Sequence, residues 1–367
     1  MGNIQDSRLW TRAFLFIWLA HLALTTGFYS VIPVFPLFLE DNFGLTGFAL
    51  GLVVASYTAS AIMTRPPTGY CLDRFGRKRI YLSGYCFFAL AYLLYPLAGS
   101  VLCVTLTRFF HGALWGVTMG AANTAAIDLL PPEKRGEGIG YFGLAMILGM
   151  SVGPALGAYA ADRLGYTAVF QATCALTLTG FLFLCCIRFP VIPKRVQPFS
   201  ASSLVEPSSL PISMATLVFC IPYGAITNYS AMFARELPGA SAGLFFLLLA
   251  IGTASTRLFA GKSFDRSGPG TASVSGYVFL LTGCSLLSMA KSSLLFSMGG
   301  LFIGFGYGML IPVVQAMVNA LVPAQRRGAA NATMMTAFDL GICIGLVVTN
   351  RIQEAFGWSA TYGALFG

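Results

Sequence analysis

Charge is what this sequence has least of. Only 10% of its 367 residues are Asp, Glu, Lys or Arg, where a soluble domain carries roughly a quarter. That shortage excludes a soluble enzyme, a disordered chain and a nucleic-acid binder. A nucleotide-binding loop is lacking too. Gly304-x-Gly306-x-Gly308 has a suggestive spacing, but it lies inside an apolar run with no strand before it, so ATP is not expected as a partner. No cleavable signal peptide is evident, and Asp6 stands where an acylation motif wants Ser or Thr. The Cys residues are scattered, and Cys185 and Cys186 are adjacent on one run, which suits small apolar packing rather than a disulfide. No metal site or cofactor is expected.

What the chain has instead is apolar length. Hydrophobic residues make up 56%, with 41 Gly and 31 Phe. The runs are continuous, as in Leu176 to Ile187, without the alternation of a barrel strand, so the spans are helices in lipid. At about 20 residues each, they read as 13–39, 46–68, 80–98, 101–127, 138–161, 168–188, 211–235, 241–261, 271–290, 293–320 and 328–350, and a twelfth begins near Ser359. The chain ends 13 residues short of where that twelfth span should close, near position 380, so the last helix is expected to be truncated. If the N-terminus is cytoplasmic, 17 of the 22 basic residues fall on the cytoplasmic side, Arg65 among them. Only Arg163, Arg235, Lys291 and Arg351 fall outside, with Arg108 left near or within the fourth span. This split orients the chain and accounts for its net charge of +9.

An offset of 192 residues aligns the chain with itself. Thr64, Arg65, Gly69, Asp73, Arg74 and Gly76 meet Thr256, Arg257, Gly261, Asp265, Arg266 and Gly268. Gly112, Gly116, Gly149, Gly153 and Gly165 meet Gly304, Gly308, Gly341, Gly345 and Gly357. The chain is therefore expected to be two six-helix bundles, 1–188 and 212–367, joined by a Pro- and Ser-rich cytoplasmic linker over 189–211. Six helices per copy give both copies one topology, related by an axis along the membrane normal.

The loop after the second span reads Gly69-Tyr70-Cys71-Leu72-Asp73-Arg74-Phe75-Gly76-Arg77-Lys78-Arg79. It resembles the cytoplasmic loop motif of the major facilitator superfamily. In the residues themselves, Gly76 suits a tight turn, Asp73 suits a neighbouring helix N-terminus, and Arg77 faces Asp128 across the cytoplasmic end. The resemblance implies a latch between halves made by Gly69, Asp73, Arg74, Gly76, Arg77 and Asp128. Gly140-x8-Gly149-x3-Gly153-Pro154-x2-Gly157-Ala158 is similar to the motif of antiporters in that family. Small residues and a proline suit a close, bent helix seam, expected here between the halves. Arg108-x3-Gly112-x3-Gly116 resembles the family's motif with a membrane-embedded Arg linked to proton coupling.

Positions that break the repeat carry chemistry that packing does not require. Arg108 meets Gly300, His111 meets Ile303, His21 meets Ser213 and Asp339 meets Ile147. These four are the proton-coupling candidates. Asp339 lies near the middle of its span, where a carboxylate must pair, titrate or line water; a fixed ion pair with Arg65 is its structural alternative. Resemblance to the family places spans one, four, seven and ten around a cavity, giving Phe28, Tyr29, Trp115, Asn123, Tyr223, Asn228, Tyr307 and Gln315 as candidate lining. The expectation is an all-α membrane protein of the major facilitator fold, monomeric, exporting a small organic molecule in exchange for protons. A proton symporter or facilitator for import is the alternative, and a non-transporting sensor the second. No catalytic residues are expected, and the only partners are substrate and an enclosing plasma membrane of the bacterial inner type.

Overall fold

A computed structural model describes residues 9–131, 134–190, 206–322 and 327–364. The described residues form ten α-helices: α1 (Arg12–Val31), α2 (Val34–Phe43), α3 (Gly47–Phe75), α4 (Arg77–Ala91), α5 (Val101–Leu129), α6 (Arg135–Cys185), α7 (Leu210–Glu236), α8 (Ala242–Ser288), α9 (Ser293–Ala320) and α10 (Arg327–Ala364). No strand occurs among the described residues. Residues 191–205 of the expected linker lie outside the described residues.

The expected spans map onto these helices with three differences, one being that α8 covers the eighth and ninth expected spans together with the loop between them. The first span is broken between α1 and α2 at Ile32 and Pro33; proline supplies no backbone N–H to continue the ladder. The loops expected after the fifth and eleventh spans shrink to a change of direction at one residue. Gly165 (φ 78°, ψ 171°) turns α6, and its repeat partner Gly357 (φ 75°, ψ 173°) turns α10. Only glycine takes that backbone without strain, so the chain reverses while helical bonding resumes at once on either side.

Lipid is the solvent for the outside of the bundle. Met63, Leu106, Val218 and Val274, within the helices, are 59–67% exposed, as apolar side chains facing lipid are. Inside, the two copies make the same contacts. The Thr64 hydroxyl donates to the Ala113 carbonyl at 3.2 Å, and Thr256 donates to Phe305 at 3.1 Å. Backbone of α3 and the Thr64 hydroxyl occupy the space a side chain would need at Gly112 and Gly116; backbone of α8 and the Thr256 hydroxyl do so at Gly304 and Gly308. Such close approach lets interhelical hydrogen bonds form, each worth about 0.6 kcal/mol in membranes. The Ser100 and Ser292 hydroxyls, also 192 apart, cap α5 and α9 by accepting from the third N–H. Between copies, α3 packs on α10 and α6 on α8.

Candidate functional site

A cavity lies where α1, α3, α5, α6, α7 and α10 converge. Its apolar wall is built from rings: Phe28 stacks on Trp115 at 4.1 Å and on Tyr57 at 5.1 Å, while Tyr223 meets Phe338 at 5.7 Å. Met119, Met146 and Met335 fill between them, and their flexible thioethers suit a variable ligand shape. Tyr29, Thr227 and Asn228 add polar edges.

Two charged features line this cavity. Arg108 is 3% exposed. Its guanidinium carbon lies 4.1 Å from the Phe35 ring centre and 4.5 Å from that of Tyr57, and one nitrogen donates to the Tyr95 hydroxyl at 3.5 Å. That hydroxyl is 2.9 Å from His111 Nδ1, so Tyr95 links Arg108 to His111. His111 itself is enclosed by Phe88, Tyr92 and Tyr57 and does not reach the cavity wall. The second feature is an ion pair between Arg65 on α3 and Asp339 on α10. Its side chains are only 29% and 18% exposed. Arg65 is thus more than a topology charge: its long stem carries the guanidinium from the inner part of α3 into the cavity, across to the other copy. Asp339, for its part, is paired.

Of the expected lining residues, Phe28, Tyr29, Trp115, Tyr223 and Asn228 are in the wall. Tyr307 stands behind Tyr223 at 4.6 Å and donates to the Phe219 carbonyl at 3.0 Å. Asn123 is exposed on α5 and Gln315 is half-buried on α9, and neither is in the wall. A polar residue on the right helix is not thereby on the right face. His21 stacks on Phe142 of α6 at 4.1 Å and is likewise outside the cavity.

The glycine seam is placed differently from its expectation. Gly149, Gly153 and Gly157 face α1, where Thr25, Thr26 and Ser30 take the room of a side chain. The seam is therefore within the first copy, and Gly341 and Gly345 make its equivalent against Leu217 and Ile221 of α7. Another face of α6, with Ile147, Met150 and Ser151, borders a small gap shared with Leu249 and Thr253 of α8, and α6 packs on α8. Pro154 lies within α6; its repeat partner is Leu346. Gly140 is in α6, but its surroundings lie outside the described residues.

At the end expected to be cytoplasmic, Arg77 is ion-paired with Asp128. Gly76 joins α3 to α4 at φ 97°, and Arg74 is exposed beside the Phe75 ring at 5.7 Å. Gly69 and Asp73 lie within α3, with side-chain surroundings outside the described residues.

The opposite end holds residues that sequence reasoning missed. Arg235, closing α7, donates to both Asp41 oxygens at 2.7 and 2.8 Å and to the Tyr166 hydroxyl at 2.7 Å; Tyr166 in turn donates to Asp41. Arg235's hydrogen bonds hold the Asp41 carboxyl below its ordinary value. Nearby, the Glu354 carboxylate of α10 accepts from the Phe48 N–H at 3.1 Å, in the first turn of α3. Both contacts tie one copy to the other. The available signal was the rarity of basic residues on this side: a cation there has a reason other than topology.

The Major Facilitator Superfamily family model matches residues 17–346. Multidrug resistance protein MdtG of Escherichia coli O9:H4 (strain HS) is 26% identical over 96% of this chain and 90% of its own length. Among solved structures, the nucleoside transporter NupG matches with a TM-score of 0.78 at 14% identity, over 97% of this chain and 96% of that one. A D-xylose-proton symporter matches with a TM-score of 0.74 at 17% identity, over 97% and 95%.

Proposed function

The chain belongs to the Major Facilitator Superfamily, as an integral membrane transporter and not an enzyme, and from that premise we propose that it exports small organic molecules in exchange for protons. The relative named for multidrug resistance supports the export direction and a bacterial inner membrane, and the asymmetry of the basic residues supports a cytoplasmic N-terminus and linker. No nucleotide drives the step; the proton gradient does. The protein works as a monomer in the lipid bilayer.

One observation carries the coupling: the Arg65–Asp339 pair joins the two copies inside the cavity. A charged carboxylate at mid-membrane costs at least about 2.5 kcal/mol on insertion scales, and its repeat partner Ile147 shows that packing asks for no acid there. Protonating Asp339 removes its charge and frees Arg65, loosening α3 from α10. A proton and a substrate that favour opposite states of this junction exchange across the membrane.

The test is reconstituted transport with a panel of anionic, neutral and cationic amphipathic dyes under an imposed pH gradient. The wild type is expected to concentrate at least one dye, with proton flux opposite in direction. Asp339→Asn should keep dye binding and lose about tenfold or more of gradient-driven uptake. Driven uptake unchanged in Asp339→Asn would place the coupling elsewhere, and proton flux parallel to the dye would make the protein a symporter. Orientation has its own check: a cysteine replacing Ser202 should resist an impermeant thiol reagent added outside intact cells.

A further inference from the structure

We propose that the cavity selects an organic anion, its carboxylate seated on Arg108 and its apolar body held between Phe28, Trp115 and Phe338. This rests on the reading that the cavity is the substrate site.

The inference starts from an imbalance. A guanidinium stays protonated in any protein environment, and a buried charge is costly unless something compensates it. Among the described residues, no carboxylate pairs with Arg108. Its compensation is two ring faces and one long hydrogen bond to a neutral hydroxyl. Its Nε is buried with no hydrogen-bond partner at all. Ring faces attract a cation, but they bring no countercharge and accept no in-plane N–H. The other two charges lining the cavity, Arg65 and Asp339, are committed to each other. The wall therefore carries one net positive charge, at Arg108.

The remainder of the wall defines the rest of the ligand. Stacked rings and methionines surround most of the space, so an ion without an apolar body would forfeit most of the available contact. A carboxylate suits the guanidinium fork, because two parallel N–H groups can meet its two oxygens. A cation would meet Arg108 as a like charge and would find Asp339 occupied. The repeat adds an independent point. Gly300 replaces Arg108 in the second copy, where Phe245 occupies the room a side chain would need. The fold has no need of a cation at this place, so Arg108 serves the cavity.

The test uses three probes with one ring system: naphthylacetate, naphthylacetamide and naphthylethylamine. Their binding to the full chain in lipid nanodiscs is measured by equilibrium dialysis, with empty discs as the blank. The acetate should bind at least about tenfold more tightly than the amide, with the amine weakest. Arg108→Gln should weaken acetate binding by about tenfold or more while leaving the amide within about twofold. Arg108→Lys should keep part of the acetate preference, because it keeps the charge without the fork. If Arg108→Gln does not fold, the wild-type ranking together with Arg108→Lys decides. An amide bound as tightly as the acetate, or an amine bound more tightly, overturns the anion proposal and leaves the cavity standing as a ligand site. Binding of none of the three above the blank overturns both.

Discussion

Asp339 and Ile147 occupy the same place in the two copies of the repeat, yet one carries an ion pair between copies and the other lines a small gap between them. Asp339 reaches Arg65 where α10 meets α3. Ile147 borders that gap with Leu249 and Thr253 where α6 packs on α8. The two junctions share a backbone arrangement and differ in what can open them. An ion pair between helices responds to a proton, whereas apolar side chains do not. The comparison separates the fold, which the repeat duplicates, from the chemistry, which it does not.

The largest effect should come from attacking the duplicated part. Gly153→Leu and Gly345→Leu each force a branched side chain into the backbone of a neighbouring helix, α1 in the first copy and α7 in the second. Overpacking of this kind costs typically about 1–3 kcal/mol or more, and backbone cannot yield as a side chain can. Both variants should lose most folded, monodisperse protein, to a similar degree, as read by size-exclusion chromatography in detergent. A large loss from one and none from the other would break the equivalence of the seams.

Much of that duplicated part was legible in the sequence, because glycine spacing survives as a signal even in an apolar chain. Gly165 and Gly357 stood out as a repeat pair but not as turns. Gly341 and Gly345 aligned with Gly149 and Gly153, while Leu346 in place of Pro154 pointed to a seam in one half only, where the structure has one in each. What the glycines face was not legible: the seam lies against α1 rather than between copies, since small residues state that a neighbour is close without stating which. Five of the eight cavity residues were found from the ring-bearing faces of spans one, four and seven. The contribution of α3, α6 and α10 was hidden. In lipid the outward face of a helix is as apolar as its packed face, so the usual contrast that assigns faces is lost. Arg65 was partly legible. Beside a basic loop it reads as one more orienting charge, but the sequence also offers it as the ion-pair partner in Asp339's structural alternative, and that pair is formed.

The smallest effect sharpens the comparison from the outer end. The Asp41–Arg235–Tyr166 cluster also joins the copies, but its charged side chains are 38% and 44% exposed, so water and salt weaken it and a share of about 0–1 kcal/mol is expected. Because hydrogen bonding by Arg235 holds Asp41's carboxyl below its ordinary value, the contribution is complete above that ordinary value of about 3.9 and fades only as pH falls through the depressed one. Between pH 5 and 8 Asp41 should therefore keep its charge, whereas the Glu40 carboxyl, 3.8 Å from Arg235, is raised by burial and is the one at this end nearer to titrating. A cysteine placed at Ala240, beside this end, should react with an impermeant thiol reagent at a rate that is independent of pH over that range once divided by the rate of a free thiol at the same pH, which removes the thiolate fraction. Asp41→Asn should raise that rate by no more than about fivefold, again independently of pH. A rate that climbs steeply as the pH falls toward 5 in the wild type, and is flat in Asp41→Asn, would show that the outer pair senses protons and would move part of the coupling away from Asp339.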